Sequence, residues 1–347
     1  MKTLCHLFSL WFFLVGAAVG VMAAPAAAPA TPPYERDFAA MNTAGRLTLW
    51  APRATAVPAA AAVVAEIQAL ERTLNRFDPA SELSRLNATA AQQPFVCGDR
   101  LWAVLNEARR AYRDTGGAFD ISIGPLMRVW GFHAQRASWP APAELAAAKA
   151  LVGLDRVVFD DATRSVRFPA PGFSLDCGGI AKGYALDAAA AILRRHGLRC
   201  GLLDFGGNLL CLEEPPPGTA AYDVGVRDPE QSDALAARLQ VRNGAVATSG
   251  AYEQQRVLGT RRVTHIMDPA TGQPVAGRIA VTVVTPRGVD SDVYSTAIFV
   301  AGAALAERFC AADPRREVRI WDHPPGGPVT LRRFGAAPGP ANLPIGE

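Results

Sequence analysis

The 347-residue chain has no run of basic residues and only six Trp and six Tyr to interleave with one; 35 Lys plus Arg face 32 Asp plus Glu, a net charge of +3. That balance excludes nucleic acid as a partner. No CxxC pair and no Cys/His metal spacing occurs. Of the six cysteines, Cys5 lies in the apolar N-terminal segment, and the other five, Cys97, Cys177, Cys200, Cys211 and Cys310, are an odd set, which speaks against a disulfide framework. They read as small apolar residues, with a Cys200–Cys211 bridge the one pairing left open. Neither the Walker loop nor the dinucleotide GxGxxG spacing is found. Beyond the first 25 residues no apolar run approaches the ~20 residues that span a bilayer. What remains is a globular composition, half apolar and 19% charged.

Met1–Ala24 has Lys2, then an almost unbroken apolar stretch, then small residues at Ala23-Ala24: the pattern of a secretory signal peptide, with an uncleaved membrane anchor as the alternative. Residues 25–36, rich in Ala and Pro, read as a linker. Helical spacing predicts a helix over 58–76, with Pro58 in its first turn, and another from Asp99 to the Gly116-Gly117 pair. The SELSRLN stretch between them reads as turn-rich. A short helix over 143–152, a hairpin over 156–168 and a helix over 180–196 follow. Strands are expected at 200–204, 222–226, 246–249, 255–258, 262–266 and 279–285, then one helix over 295–309 and a fraying Pro/Gly-rich tail over 323–347. Without regular βαβ alternation, the fold class is α+β, with mixed and antiparallel sheets and packed helices.

Four segments carry candidate chemistry. In TGGAFD, paired glycines precede Ala118, Phe119 and Asp120, an acceptor beside an aromatic face; a helix C-cap explains the same spacing. In DCGGIAKGYALD, a Gly pair opens a helix with Lys182 one turn in, which suits an anion or a plain capped helix. His265 ends a strand before the DPATG turn, as a general base or as a structural imidazole. Asp292, Ser295 and Thr296 share one turn at a helix start; these hard oxygens suit Mg²⁺, or Asp292 simply caps its own helix.

Taken in order, SELSRLN, TGGAFD with GPL and WGF, DCGGIAKGYALD, FGGN, ATSGAYE, THIMDPATGQPV and DVYSTAIFVAG resemble the FAD:protein FMN transferase (ApbE) family, from Met41 to about Gly302. The resemblance implies an ApbE-like, T-fold-related catalytic domain over 37–322. It implies an exported, periplasmic, Mg²⁺-dependent enzyme that splits FAD, joins FMN to a threonine hydroxyl of an acceptor protein and releases AMP. The alternatives are an FAD pyrophosphatase and a non-catalytic FAD-binding protein. Membrane-associated redox subunits are the implied acceptors, with peripheral membrane proximity. The implied FAD contacts fall on Met41, Phe77, Ala118, Phe119, Asp120, Asp176, Lys182 and Ile266. The implied metal positions are Gly179 through its carbonyl, Asp292, Ser295 and Thr296. His265 and Asp292 are the expected catalytic pair. Phe77, Cys177 and Ala251 depart from the residues common in the family.

Overall fold

The computed structural model describes residues 32–335, apart from 134, 135, 137, 232, 259, 260 and 325. The signal-peptide segment, residues 25–31 of the linker and the end of the tail lie outside the described residues. From Tyr34 onward the expected linker is already a strand. β1 (Tyr34–Ala40) and β2 (Thr43–Leu49) form a hairpin whose two turn residues, Met41 and Asn42, both take positive φ. That is the two-residue turn whose twist matches paired strands.

Helix α1 (Arg53–Leu74) starts five residues before Pro58, which therefore lies inside it and not in the first turn. Its buried positions Ala56, Ala60, Val63, Ile67, Leu70 and Leu74 recur at helical spacing. Of the described helices, α1 alone has the length and composition to cross a membrane; here its apolar face is core. SELSRLN is helical as well, a correction to the turn-rich reading. In α2 (Glu82–Thr89), Ser81 caps by accepting from Ser84 N at 3.0 Å, and Leu83 and Leu86 are fully buried. The capping signal and the three-residue leucine spacing outweigh the polar composition.

The chain continues through β3 (Phe95–Val96), α3 (Asp99–Thr115), α4 (Gly124–Val129), α5 (Pro142–Lys149), β4 (Val158–Asp160), β5 (Ser165–Arg167), α6 (Ala181–Arg195), β6 (Gly201–Phe205) and β7 (Asn208–Cys211). The ribbon β8 (Tyr222–Arg227) and β9 (Leu235–Val241) follows, then β10 (Gly244–Gly250), the ribbon β11 (Gln255–Leu258) and β12 (Arg261–Thr264), and β13 (Arg278–Thr285). The single helix expected over 295–309 is two, α7 (Gly288–Ala301) and α8 (Ala303–Ala311), separated at Gly302 with φ +75°. Glycine alone adopts that conformation cheaply. The predicted fraying does not begin at 323 either: β14 (Glu317–Asp322) pairs with β15 (Thr330–Gly335).

The main sheet runs β1-β2-β6-β7-β10-β13-β14-β15, and every pairing in it is antiparallel. Strand alternation sends Val281, Val283, Val318 and Ile320 into the core under α7 and α8, while Ala280, Val246 and Trp321 meet the β8–β9 ribbon on the other face. This is an α+β fold. All five described cysteines are free, so the open Cys200–Cys211 pairing is not formed. Burial pushes the Cys97 and Cys211 thiols up to about 12, which makes them poor nucleophiles.

Candidate active site

Helices α6 and α7 cross at two glycines. A Cβ on Gly183 would stand 2.6 Å from Asp292 Cβ and collide with the Gly288 carbonyl; one on Gly288 would stand 2.7 Å from Gly183 O. At this distance each helix caps the other. Asp187 of α6 accepts from Gly288 N at 2.6 Å and Val289 N at 3.0 Å, and Asp292 Oδ2 of α7 accepts from Gly183 N at 2.8 Å. These are amides with no intrahelical partner, and a carboxylate there complements the helix dipole. Burial pushes the Asp187 carboxyl up against the opposing pull of the two amides. The reading of Asp292 as the cap of its own helix is thereby corrected. The helix begins at Gly288, Asp292 lies in its second turn, and the end it caps belongs to α6.

The same turn of α7 gathers oxygens. Ser295 Oγ donates to Asp292 O at 2.9 Å and lies 2.8 Å from Ser249 Oγ of β10, which in turn lies 3.2 Å from Thr296 Oγ1. Gly179 faces this cluster: a Cβ there would be 3.2 Å from the Phe119 ring and 3.5 Å from Thr296 Oγ1. The four positions implied for a metal thus lie around one turn, with Ser295 buried and Thr296 half-buried. Ser249 was missed, although its TSG segment was noted; only the strand pairing that brings β10 under α7 could have named it. A carboxylate, hydroxyls and a carbonyl form a hard-oxygen set that fits Mg²⁺. Among the described residues no cage of three His, Cys, Asp or Glu occurs.

Lys182 is the second residue of α6, half-buried, and its charge acts on both His265 and Glu253. His265 Nδ1 lies 3.2 Å from Gln254 O. A carbonyl only accepts, so Nδ1 carries the proton and the neutral ring keeps its basic lone pair on Nε2. Burial, opposed by that carbonyl and aided by Lys182, holds the imidazole below its usual value of 6.5. The protein around Glu253 pushes its carboxyl up, with Asp292 adding to the effect and Lys182 opposing it.

Asn87 of α2 donates to Leu175 O at 3.0 Å and accepts from Leu175 N at 2.8 Å, clamping the segment that presents Asp176. Asp176 Oδ1 accepts from Gly178 N at 2.9 Å. Its Oδ2 lies 3.0 Å from Arg76 Nη1 and 3.2 Å from His133 Nε2. Burial pushes His133 down to about 4, with Arg76 and Arg128 assisting and Asp176 opposing, so at neutral pH the ring is uncharged and Nε2 donates to the carboxylate. Phe77 is 67% exposed, lies edge-on to His133 with centroids 6.2 Å apart, and carries the Arg76 guanidinium 4.3 Å from its centroid. Arg76 and His133 were not singled out from sequence, because single polar residues in loops carry no periodic signal; Asn87, on α2, meets a backbone 88 residues away that only the fold brings to it.

In TGGAFD the C-cap reading holds: Gly116 takes φ +63° and Phe119 N donates to Thr115 Oγ1 at 3.1 Å. Phe119 is buried against Gly179 and Ala118 is half-buried. Asp120 turns inward. It accepts from Ser122 N at 2.7 Å and Leu154 N at 3.2 Å, and burial pushes its carboxyl up against those amides. Met41 lies in the β1–β2 turn, with its amide on Glu71 at 2.7 Å. Ile266 is buried directly after His265. Phe132, 6.4 Å centroid to centroid from His265, links the His265 and His133 regions.

The ApbE family model matches residues 41–320, which extends the resemblance into β14. An FAD:protein FMN transferase of Klebsiella pneumoniae is 32% identical over 249 residues, covering 71% of this chain and 74% of that protein. One of Treponema pallidum is 32% identical over 296 residues, covering 80% of each. The crystal structure of the ApbE protein of Thermotoga maritima superposes with a TM-score of 0.79 at 28% identity, covering 87% of this chain and 97% of that one. On this match, over most of its length, the chain belongs to the ApbE family.

Proposed function

We propose that the protein transfers the FMN half of FAD to a threonine hydroxyl of an acceptor protein and releases AMP. The observation that carries this reading is the Asp292 carboxylate, held on the N-terminal end of α6 by Gly183, beside Lys182, Gly179 and Thr296. A pyrophosphate needs cationic and dipolar groups where its charge grows, and the start of α6 with Lys182 provides both. Mg²⁺ held by Asp292, Ser295, Thr296 and the Gly179 carbonyl would supply charge neutralisation on the pyrophosphate oxygens.

In the transfer, the acceptor oxygen forms a bond to the FMN-side phosphorus while the bond from that phosphorus to the bridging oxygen breaks. AMP leaves with the bridging oxygen and its electron pair. His265 Nε2 takes the hydroxyl proton, a role that requires the neutral ring described above. Phe77, Met41, Ala118, Asp176 and Ile266 are proposed to face the ring systems of FAD, while the inward-turned Asp120 anchors the segment that carries Ala118 and Phe119. The apolar Met1–Ala24 segment supports export, and an acceptor on a membrane-associated redox subunit is the matching partner.

The test is intact-mass spectrometry of a threonine-containing acceptor domain after incubation with the protein, FAD and Mg²⁺, with AMP followed in parallel. An FMN adduct formed together with AMP and lost in EDTA is expected. AMP with free FMN and no adduct would replace the reading by a pyrophosphatase, and tight FAD binding with neither product would replace it by a carrier.

A further inference from the structure

Arg76 is only 18% exposed, and two contacts account for its place. Its Nη1 lies 3.0 Å from Asp176 Oδ2 as an ion pair without the alignment of a hydrogen bond, and its guanidinium lies over the Phe77 ring at 4.3 Å. Packing alone does not call for this arrangement, because the ring it covers is 67% exposed. A large aromatic left that open costs apolar burial, and a buried guanidinium without a full set of acceptors costs desolvation. Burial does depress the Arg76 guanidinium, with Asp176 opposing. His133, anchored on the same carboxylate, closes the edge of the ring. One face and one edge of Phe77 are therefore backed by protein, while the opposite face meets solvent.

We propose that Arg76 is a positioning residue for FAD: tied to Asp176, it holds the Phe77 ring as a platform on which a planar heteroaromatic ring of the dinucleotide stacks. A cation on the inner face fixes the orientation of the ring and leaves the outer face open for a flat ring to stack. The shared ligand chemistry is a flat nitrogen heterocycle, which isoalloxazine and adenine both provide. This inference rests on the reading of the site as an FAD site, and the measurement below separates the two.

Lysine at position 76 keeps a positive charge for Asp176 but has no planar group to lay on the ring. FAD binding is measured by calorimetry in EDTA for the wild type, Arg76→Lys, Phe77→Leu and the double variant, each checked for an unchanged thermal midpoint. Arg76→Lys is expected to weaken FAD binding about tenfold. In the Phe77→Leu background the same change is expected to cost no more than about twofold, because the platform is already gone. In turnover the Arg76→Lys change is expected in KM for FAD rather than in kcat. Titrations with FMN and with ADP identify the stacked ring: the loss follows FMN if isoalloxazine lies on Phe77 and ADP if adenine does. Wild-type affinity in Arg76→Lys, or an undiminished tenfold loss in the Phe77→Leu background, would overturn the proposal. Wild-type FAD binding without FMN transfer would instead overturn the functional reading and leave the platform standing.

Discussion

At the α6–α7 crossing, each group is set by regular structure. Two glycines fix the helix separation, two carboxylates cap the opposite helix, and the hydroxyls of Ser295 and Thr296 follow from the helical turn that carries Asp292. Around Phe77 the side chains come from loops, and their order depends on one buried carboxylate, Asp176, which gathers Arg76, His133 and the Gly178 amide. The first region resists change because its backbone is close-packed. The second is held together by side chains, and its central ring faces solvent. On the proposed reading the phosphate chemistry falls on the side set by backbone, where placement within fractions of an ångström matters, and ring recognition on the side set by side chains.

The comparison breaks most completely at Gly183. In an ordinary helix Gly→Ala stabilises, yet here the added methyl meets Asp292 Cβ and the Gly288 carbonyl, so Gly183→Ala is expected to cost about 1–3 kcal/mol and to abolish transfer. Urea unfolding together with the adduct assay reads both effects, and a stabilised, active variant would refute the close-crossing argument. Asp292→Asn separates two roles of one side chain. The amide oxygen still accepts from Gly183 N, so stability should stay near wild type, while loss of the charge should reduce transfer at least about a thousandfold. Asp292→Ala should lose about 1 kcal/mol as well. Equal activity in the Asn variant would remove Asp292 from the metal set.

His265→Gln tests the proton acceptor. A positioned base is worth about 10²–10⁴-fold in rate, and the wild-type acid limb should fall below pH 6.5, because burial holds this imidazole under its usual value. An unchanged pH profile in the variant would assign the role elsewhere. The smallest effect on transfer belongs to His133, which bears on stability and whose pKa is about 4 in the fold against 6.5 when free. The fold favours the neutral ring, so its contribution is complete above pH 6.5 and is lost as pH falls toward 4, up to about 3 kcal/mol. His133→Asn keeps a donor for Asp176 and does not titrate, so its stability should vary less over that window. An identical slope would show that other groups govern acid unfolding.

Much of the rigid region was legible in the sequence. The glycine pair and Lys182 in DCGGIAKG, and the Asp-x-x-Ser-Thr spacing on one helical face, are local patterns, and helical geometry turns them into neighbours. The caps were not legible, because Gly183 and Asp292 are more than a hundred residues apart and only the α6–α7 packing joins them. The error over SELSRLN had a different source. Its polar residues suggested a turn, whereas Ser81 caps a helix, Leu83 and Leu86 enter the core, and Asn87 reaches the backbone beside Asp176. The edge strands β1 and β15 were missed because one-sided strands at a sheet margin carry weak alternation and depend on their partners. Around Phe77, Arg76 and His133 gain meaning only once the fold has folded back on Asp176.

Because the Gly183 amide donates to Asp292, its proton is a spectroscopic reporter placed inside the site. A cation drawing electron density from that carboxylate would weaken the amide hydrogen bond, shift the Gly183 resonance upfield and speed its exchange with solvent. A single peak in a ¹⁵N-correlated spectrum would then follow ion loading in the resting protein, before any flavin or acceptor is added.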